Sequence, residues 1–164
     1  MQYDVEGRFR KVERLILAAQ SKDLDEEIAS YYCKLGCIMT CGAVERSVAI
    51  LILERVGQRS PPEVQSFLRT YFKRGVNYDC DEISSLLYRF KKEWGRRYED
   101  YIAQNDPVKQ GITSLYSVRN SVAHGGTNST GPNNLKEYFY RAFDMIAELD
   151  SILHRLLGSI RLVR

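Results

Sequence analysis

The sequence predicts an all-α fold, a single-domain bundle of five to six helices that spans residues 1–164. Three observations support this expectation. Apolar residues recur every three to four positions through most of the chain, which is the spacing of an amphipathic helix. Only four prolines interrupt that pattern. A chain of 164 residues, 44% of them hydrophobic, is long enough for one core with short connections.

The first half of the chain contains three predicted helices. The first covers about residues 5–20, and a long second helix follows a polar segment with capping residues and ends near residue 56. The stripe expected to be buried on this second helix is Ile28, Tyr31, Leu35, Ile38, Cys41, Glu45, Val48 and Ile52. Ser60 and Glu63 form a predicted capping box for the third helix. Its expected inward residues are Val64, Phe67, Leu68 and Tyr71.

The second half of the chain predicts two or three more helices. One begins at Asp79 or Asp81, and its end is left open because Gly95 can break or bend a helix. Asp106 and Pro107 begin the next, which covers about residues 107–124. A loop rich in Gly, Asn, Ser and Thr follows, and the final helix covers about residues 135–157.

Composition and charge exclude few classes of function. The net charge of +3 neither indicates nor forbids a nucleic-acid partner. The N-terminus lacks the features of a signal peptide, and the most apolar stretch, residues 48–53, is too short to span a membrane. We therefore expect a cytoplasmic protein with no membrane contact. Its four cysteines should be reduced.

Two charged residues occupy positions where the helical pattern expects apolar ones. Glu45 lies on the stripe of the long helix, and Arg119 lies on the stripe formed by Ile112, Leu115 and Val122. A buried charge is unfavourable unless it is paired or lies in a cleft, so the pattern predicts that these two side chains approach within ion-pair reach. Two alternatives to a functional pair remain. The pair could be a salt bridge with only a structural role, or the helix phases could differ and expose both residues.

Arg119, Asn120 and His124 lie within about one helical turn. Asn120 and His124 are four residues apart and share a helix face, which Arg119 borders. An arginine fork suits phosphate, and histidine can give and take protons near neutral pH. This set of groups favours a site for phosphoryl transfer. The alternative is that His124 has no catalytic role and only interacts favourably with the dipole at the helix C-terminus. No metal site or cofactor is indicated, since His154 is the only other histidine.

The string Arg119-Asn120-Ser121-Val122-Ala123-His124-Gly125 resembles the Arg-x4-His motif of HEPN domains. The helical context is most similar to the stand-alone RiboL-PSP-HEPN group. The resemblance implies a metal-independent endoribonuclease that cleaves RNA by attack of the 2′-OH, with a role as a toxin or phage-defence effector. It also implies a homodimer with a composite cleft and an antitoxin or regulatory protein as a further partner.

The resemblance also implies roles for individual residues. His124 would be the acid–base residue, Arg119 would hold the phosphate, Asn120 would orient either, and Glu45 would assist them. The family also includes non-catalytic modules that bind nucleotides, RNA or a partner protein, which is the alternative function. A plain interaction bundle outside the family is a third interpretation, and it predicts that Arg119 and Glu45 are exposed.

Further residues are candidates for substrate contact. The basic residues around Trp94 are Lys91, Lys92, Arg96 and Arg97, and they predict a surface for nucleic acid or, alternatively, a solvated helix face. Gly125 follows the motif and would leave room for the backbone of a ligand. Cys33, Cys37 and Cys41 share one face of the long helix and are interpreted as core or interface residues.

Overall fold

The structure, a computed structural model, describes residues 3–21, 23–57, 60–73, 75–126 and 130–154. These ranges contain seven α-helices and no strand, which confirms the all-α prediction. The helices are α1 (Tyr3–Ala19), α2 (Glu26–Ile52), α3 (Pro62–Tyr71), α4 (Cys80–Phe90), α5 (Lys92–Ala103), α6 (Asp106–Ala123) and α7 (Pro132–His154), and a π-helical turn, Leu53–Gly57, extends α2. The bundle has one helix more than predicted.

Helix α1 buries the stripe that the sequence predicts. Its residues Phe9, Val12, Ile16 and Ala19 are each about 2% exposed. Asp25 then caps α2, because its side-chain Oδ1 accepts a hydrogen bond of 2.9 Å from the backbone N–H of Glu27. The π-helical turn ends at Gly57, where the sequence predicts the end of the long helix.

Helix α2 is the centre of the bundle and packs against α1, α6 and α7. The first half of its predicted stripe was wrong. Ile28, Tyr31, Leu35 and Ile38 are between 41% and 59% exposed. The buried face of this half carries small residues instead, namely Cys33, Gly36, Cys37, Thr40 and Cys41. A Cβ atom at Gly36 would lie 2.6 Å from Cδ2 of Leu135, so the missing side chain lets α7 approach.

The start of α3 differs from its prediction. Pro61 occupies the N-cap position without a side-chain hydrogen bond, because the Ser60 hydroxyl donates 2.7 Å to the carbonyl of Val56 instead. The capping box was therefore wrong. Val64 and Phe67 are 41% and 67% exposed, contrary to expectation, because α3 packs mainly on the π-helical turn and buries Leu68 there.

The helical conformation is interrupted between α4 and α5 at Lys91, and not at Gly95. Lys91 is extended, with φ −157° and ψ 118°, and the two helices fold against each other. The Glu99 carboxylate accepts hydrogen bonds from the hydroxyls of Ser84 and Tyr88, which join the pair. Asp79 caps α4 as predicted, because it accepts 2.9 Å from the backbone N–H of Glu82.

Helices α2 and α7 run parallel. Gly36 faces Leu135 near their beginnings, and Glu54 Oε2 lies 3.6 Å from His154 Nε2 near their ends. Helix α6 precedes α7 through a short connection and packs against it, so α6 runs antiparallel to both. Helix α7 begins three residues before its predicted start. Its predicted end near residue 157 lies outside the described residues.

Helix α2 together with the π-helical turn is long and apolar. An 18-residue window of Glu26–Gly57 has a mean hydropathy of 1.6, so this is the one helix among the described residues with the length and composition to cross a membrane. The sequence analysis considered only residues 48–53 and therefore underestimated the length of this apolar helix. Core helices of soluble proteins have the same features, and 61% of the window is buried within the bundle.

Candidate active site

Helix α6 presents three predicted site residues at its C-terminal end. Its inner face is anchored in the core by Ile112, Leu115 and Val118, which are at most 5% exposed. Arg119 and Asn120 are half-buried at the edge of this face, and His124 is exposed just after the last helical residue. The core therefore fixes the helix, while the polar groups of the motif remain accessible to a ligand.

Arg119 makes its hydrogen bond to its chain neighbour. Its Nη1 donates 3.0 Å to the side-chain Oδ1 of Asn120. A guanidinium has five N–H donors and no acceptor, so the amide oxygen of Asn120 must face it. No other hydrogen bond of this guanidinium exists within the described residues. Its remaining donors are available to a phosphate, whose geometry a guanidinium matches.

Glu45 lies across from Arg119 on α2. The predicted ion pair between these two described residues was wrong, because no oxygen–nitrogen distance between them is within 4.0 Å and Arg119 turns to Asn120 instead. They still interact over a longer distance. Burial raises the pKa of the Glu45 carboxyl, and the positive charge of Arg119 opposes that rise. Both residues are half-buried, unlike the exposed surface pair that the plain interaction bundle predicts.

His124 is held at the end of α6 by the two glycines that follow it. Gly125 has a left-handed backbone with φ 72°, and the N–H of Gly126 donates 2.8 Å to the carbonyl of Ser121. This is the pattern of a Schellman motif, which closes a helix C-terminus and favours glycine at the left-handed position. The imidazole makes no hydrogen bond to any residue that the structure describes. Gly125 thus has a structural role beside its predicted role in ligand contact.

Two tyrosines beneath the motif were missed by the sequence analysis. Tyr116 is 5% exposed and Tyr78 is 3% exposed. The charge of Glu45 contributes to the raised pKa of both phenols, and burial is the main cause in each, raising the pKa of Tyr78 to about 12. Both phenols therefore stay uncharged beneath the motif. Tyr116 precedes Arg119 by three residues, so its position on the same helix side was the available signal.

The basic residues around Trp94 lie elsewhere on the bundle. Lys91 Nζ is 3.0 Å from Glu93 Oε2 and 5.9 Å from the centre of the Trp94 ring, which Arg55 also approaches at 6.0 Å. Arg55 is ten residues beyond Glu45 on the same helix, which corresponds to roughly 15 Å. Lys92 and Arg96 are exposed and Arg97 is half-buried. The structure does not bring this group together with Arg119, and its role in RNA contact stays a prediction.

No group of three or more His, Cys, Asp or Glu side chains in the described ranges has the arrangement of a metal site. Cys33, Cys37 and Cys41 are free thiols that face the core. Burial raises the pKa of all three. The accessible chemistry of the site is thus a guanidinium, an amide, a carboxyl and an imidazole. These groups can bind a phosphate and move protons around it.

The comparison with known families identifies the family of the chain. The chain matches the family described as RiboL-PSP-HEPN over residues 3–155, which is nearly its whole length. It is therefore a member of the HEPN domain family, in the RiboL-PSP-HEPN group. No curated protein and no solved structure matches the chain.

Proposed function

We propose that this protein is a metal-independent endoribonuclease that cleaves RNA at the motif of α6. The observation that supports the proposal is the pairing of two accessible groups on one helix end. Arg119 is oriented by Asn120, and its other donors have no partner among the described residues. His124, about one turn later, has an imidazole that likewise bonds to none of them. The proposed role is that of a cytoplasmic toxin or phage-defence effector that an antitoxin or regulatory protein restrains.

The reaction that fits these groups uses the substrate's own nucleophile. The 2′-OH of RNA attacks the adjacent phosphorus as its proton passes to a base, and the bond to the 5′-oxygen breaks as that oxygen takes up a proton. The fragment upstream of the cut then ends in a 2′,3′-cyclic phosphate. His124 is the proposed acid–base residue, a role that typically accelerates such a reaction ~10²–10⁴-fold. Arg119 stabilises the charge that develops on the phosphate.

A second proton-transfer group is needed, and two sources are proposed. Glu45 faces the motif and has a raised pKa, which makes its carboxyl a better proton donor near neutrality. The other source is the His124 of a second copy across a composite cleft. In that arrangement one imidazole removes a proton while the other supplies one.

The exposed face of α2 supports the second copy. Ile28, Tyr31, Leu35 and Ile38 alternate at spacings of three and four, the pattern of a helix-pairing seam. Because α6 runs antiparallel to α2, the five residues from Arg119 to His124 advance ~7.5 Å toward this seam. A homodimer that pairs these α2 faces is the arrangement that we propose for the composite cleft.

A cleavage assay tests the proposal. Purified protein is incubated with single-stranded RNA in EDTA, and the products are analysed for the cyclic phosphate. The wild type and His154→Ala should cleave, and His124→Ala should not. His154 is the matched control because it lies at the end of α7, away from the motif. There its ring bonds to Asp150 and approaches Glu54 of the π-helical turn. DNA of the same sequence should bind but remain intact, because it lacks the 2′-OH.

Two outcomes contradict the proposal. Activity that disappears in EDTA and returns with magnesium would assign the chemistry to a metal. RNA binding without cleavage by any variant would favour the non-catalytic module of the family.

A further inference from the structure

A groove between α1 and α2 has the charge expected of a nucleic-acid site. Its volume is about 560 Å³, and its walls carry the side chains of Arg8, Arg10, Lys11 and Arg14 from α1. Asp4 and Glu6 are the acidic residues among the residues that line it. The four cations and two carboxylates give the groove lining a formal charge of +2, compared with +3 for the whole chain. The field in the groove favours an anion.

Three of the four cations are not engaged by any residue in the described part of the chain. Arg10 lies 3.2 Å from Glu6 and is neutralised there. Arg8, Lys11 and Arg14 have no ion pair or side-chain hydrogen bond with any residue that the structure describes. The Nε atom of Arg8 is moreover fully buried without a partner. An anion from solvent cannot reach this buried atom, so it would contact Arg8 through the other guanidinium nitrogens.

The groove lies one helical turn from the candidate active site. Its α2 wall includes Met39, Gly42 and Ala43. Gly42 precedes Glu45 by three residues, and helix geometry places these two positions ~5 Å apart along the axis. A Cβ atom at Gly42 would meet nothing within 4 Å, so the space directly over this residue is open.

We propose that the groove binds the phosphate backbone of the RNA strand beside the scissile phosphate. The strand passes from Arg119 over Gly42 and then along α1, where Arg8, Lys11 and Arg14 contact successive phosphates. This inference rests on the proposed ribonuclease function and extends it, because it assigns a substrate-binding surface on α1 outside the motif. Its contacts are electrostatic and favour no particular base.

A binding experiment with an inactive enzyme tests the groove separately from cleavage. In the His124→Ala background, the Kd for a fluorescent single-stranded RNA 12-mer is measured at several salt concentrations. Lys11→Glu with Arg14→Glu should raise the Kd at least ~10-fold and reduce the salt slope by ~1.4, which corresponds to two phosphates. Lys73→Glu, an exposed lysine after α3, is the matched control and should leave both values unchanged.

Gly42 supplies a second test that is insensitive to folding of α1. Gly42→Glu should weaken binding and Gly42→Lys should strengthen it, while Gly42→Ala changes little, since the site has open space for each side chain. An unchanged Kd in the Lys11→Glu, Arg14→Glu variant, or equal effects of Glu and Lys at position 42, would overturn the groove proposal. Those results leave the cleavage assay unaffected. Conversely, groove-dependent binding without cleavage by the wild type would overturn only the proposed activity.

Discussion

Arg119 donates its 3.0 Å hydrogen bond to Asn120, the next residue in the chain, and not to Glu45 on the facing helix. The choice of partner determines what the guanidinium can do. A direct ion pair would consume the fork and neutralise its charge, whereas the amide orients the fork and leaves the charge in place. The arrangement keeps a cation at the helix end for an incoming phosphate.

Removing the amide should let Arg119 turn to Glu45. In the His124→Ala background, we expect Asn120→Ala to weaken RNA binding ~10-fold, the usual value of one oriented hydrogen bond. Glu45→Gln in addition should restore most of the affinity, because it removes the competing carboxylate. The measurement is a double-mutant cycle of RNA Kd values. Additive losses, with no rescue by Glu45→Gln, would show that Asn120 does not act by holding Arg119 away from Glu45.

The half-buried carboxyl of Glu45 should make stability depend on pH. Burial raises its pKa above the value in the unfolded chain, so the folded protein holds the proton more tightly. The stabilisation is complete below the unfolded pKa and is lost as the pH rises through the folded pKa. We therefore expect the Tm of Glu45→Gln, relative to that of the wild type, to increase as the pH is raised from 4 to 8. The exposed Glu63→Gln serves as the control, and a Tm difference independent of pH would contradict the prediction.

The exposed α2 face should control the oligomeric state. Leu35→Glu places a charge in the proposed seam, so we expect a monomer by light scattering at a concentration where the wild type is a dimer. RNA cleavage should fall with it, because each cleft would lack its second motif. Phe67→Glu is the matched control on α3, where a large apolar side chain is 67% exposed. A monomeric wild type at micromolar concentration would remove the basis for the composite cleft.

The left-handed residue behind the motif should be sensitive to substitution. Gly125→Ala forces a side chain into φ 72°, which should destabilise the protein by ~1 to 2 kcal/mol in urea unfolding. Gly7→Ala on α1 is the control of opposite sign. Its Cβ meets nothing within 4 Å, so it should stabilise the helix by ~1 kcal/mol. Equal effects of the two substitutions would mean that the backbone at Gly125 relaxes freely.

The sequence predicts the helices of this bundle well where one apolar face stands out. On α1, the stripe beginning at Phe9 is flanked by charges, and it is buried as expected. The N-cap residues Asp25 and Asp79 were also recognisable, since each has a short carboxylate just before an apolar helix. Local chemistry determines these features, and the rest of the fold is not needed to find them.

The buried face of α2 was not predictable in the same way. The first half of this helix carries apolar residues on two faces, a bulky one around Tyr31 and Leu35 and a small one around Cys33 and Cys37. Periodicity cannot choose between them. The close approach of α7 at Gly36 selects the small face, and that approach depends on a contact with Leu135 about a hundred residues away.

The candidate site shows the same division. Arg119, Asn120 and His124 became candidates through their spacing and their resemblance to the HEPN motif, and Glu45 became one because a charge interrupts an apolar stripe. The partner of Arg119 was not found, because a hydrogen bond to Asn120 and an ion pair to Glu45 suit the same spacing. The α1 groove was missed as well, since it depends on how two helices pack.

The four buried thiols can report local or global unfolding of the protein. Cys33, Cys37, Cys41 and Cys80 are at most 5% exposed, and burial raises the pKa of each. Because the thiolate is the reactive form, an aromatic disulfide reagent should label the native fold slowly and the unfolded chain at once. The labelling rate then measures the free energy of local or global opening without an added probe. A single cysteine introduced on the surface could carry a spin label or dye while all four native thiols remain in place.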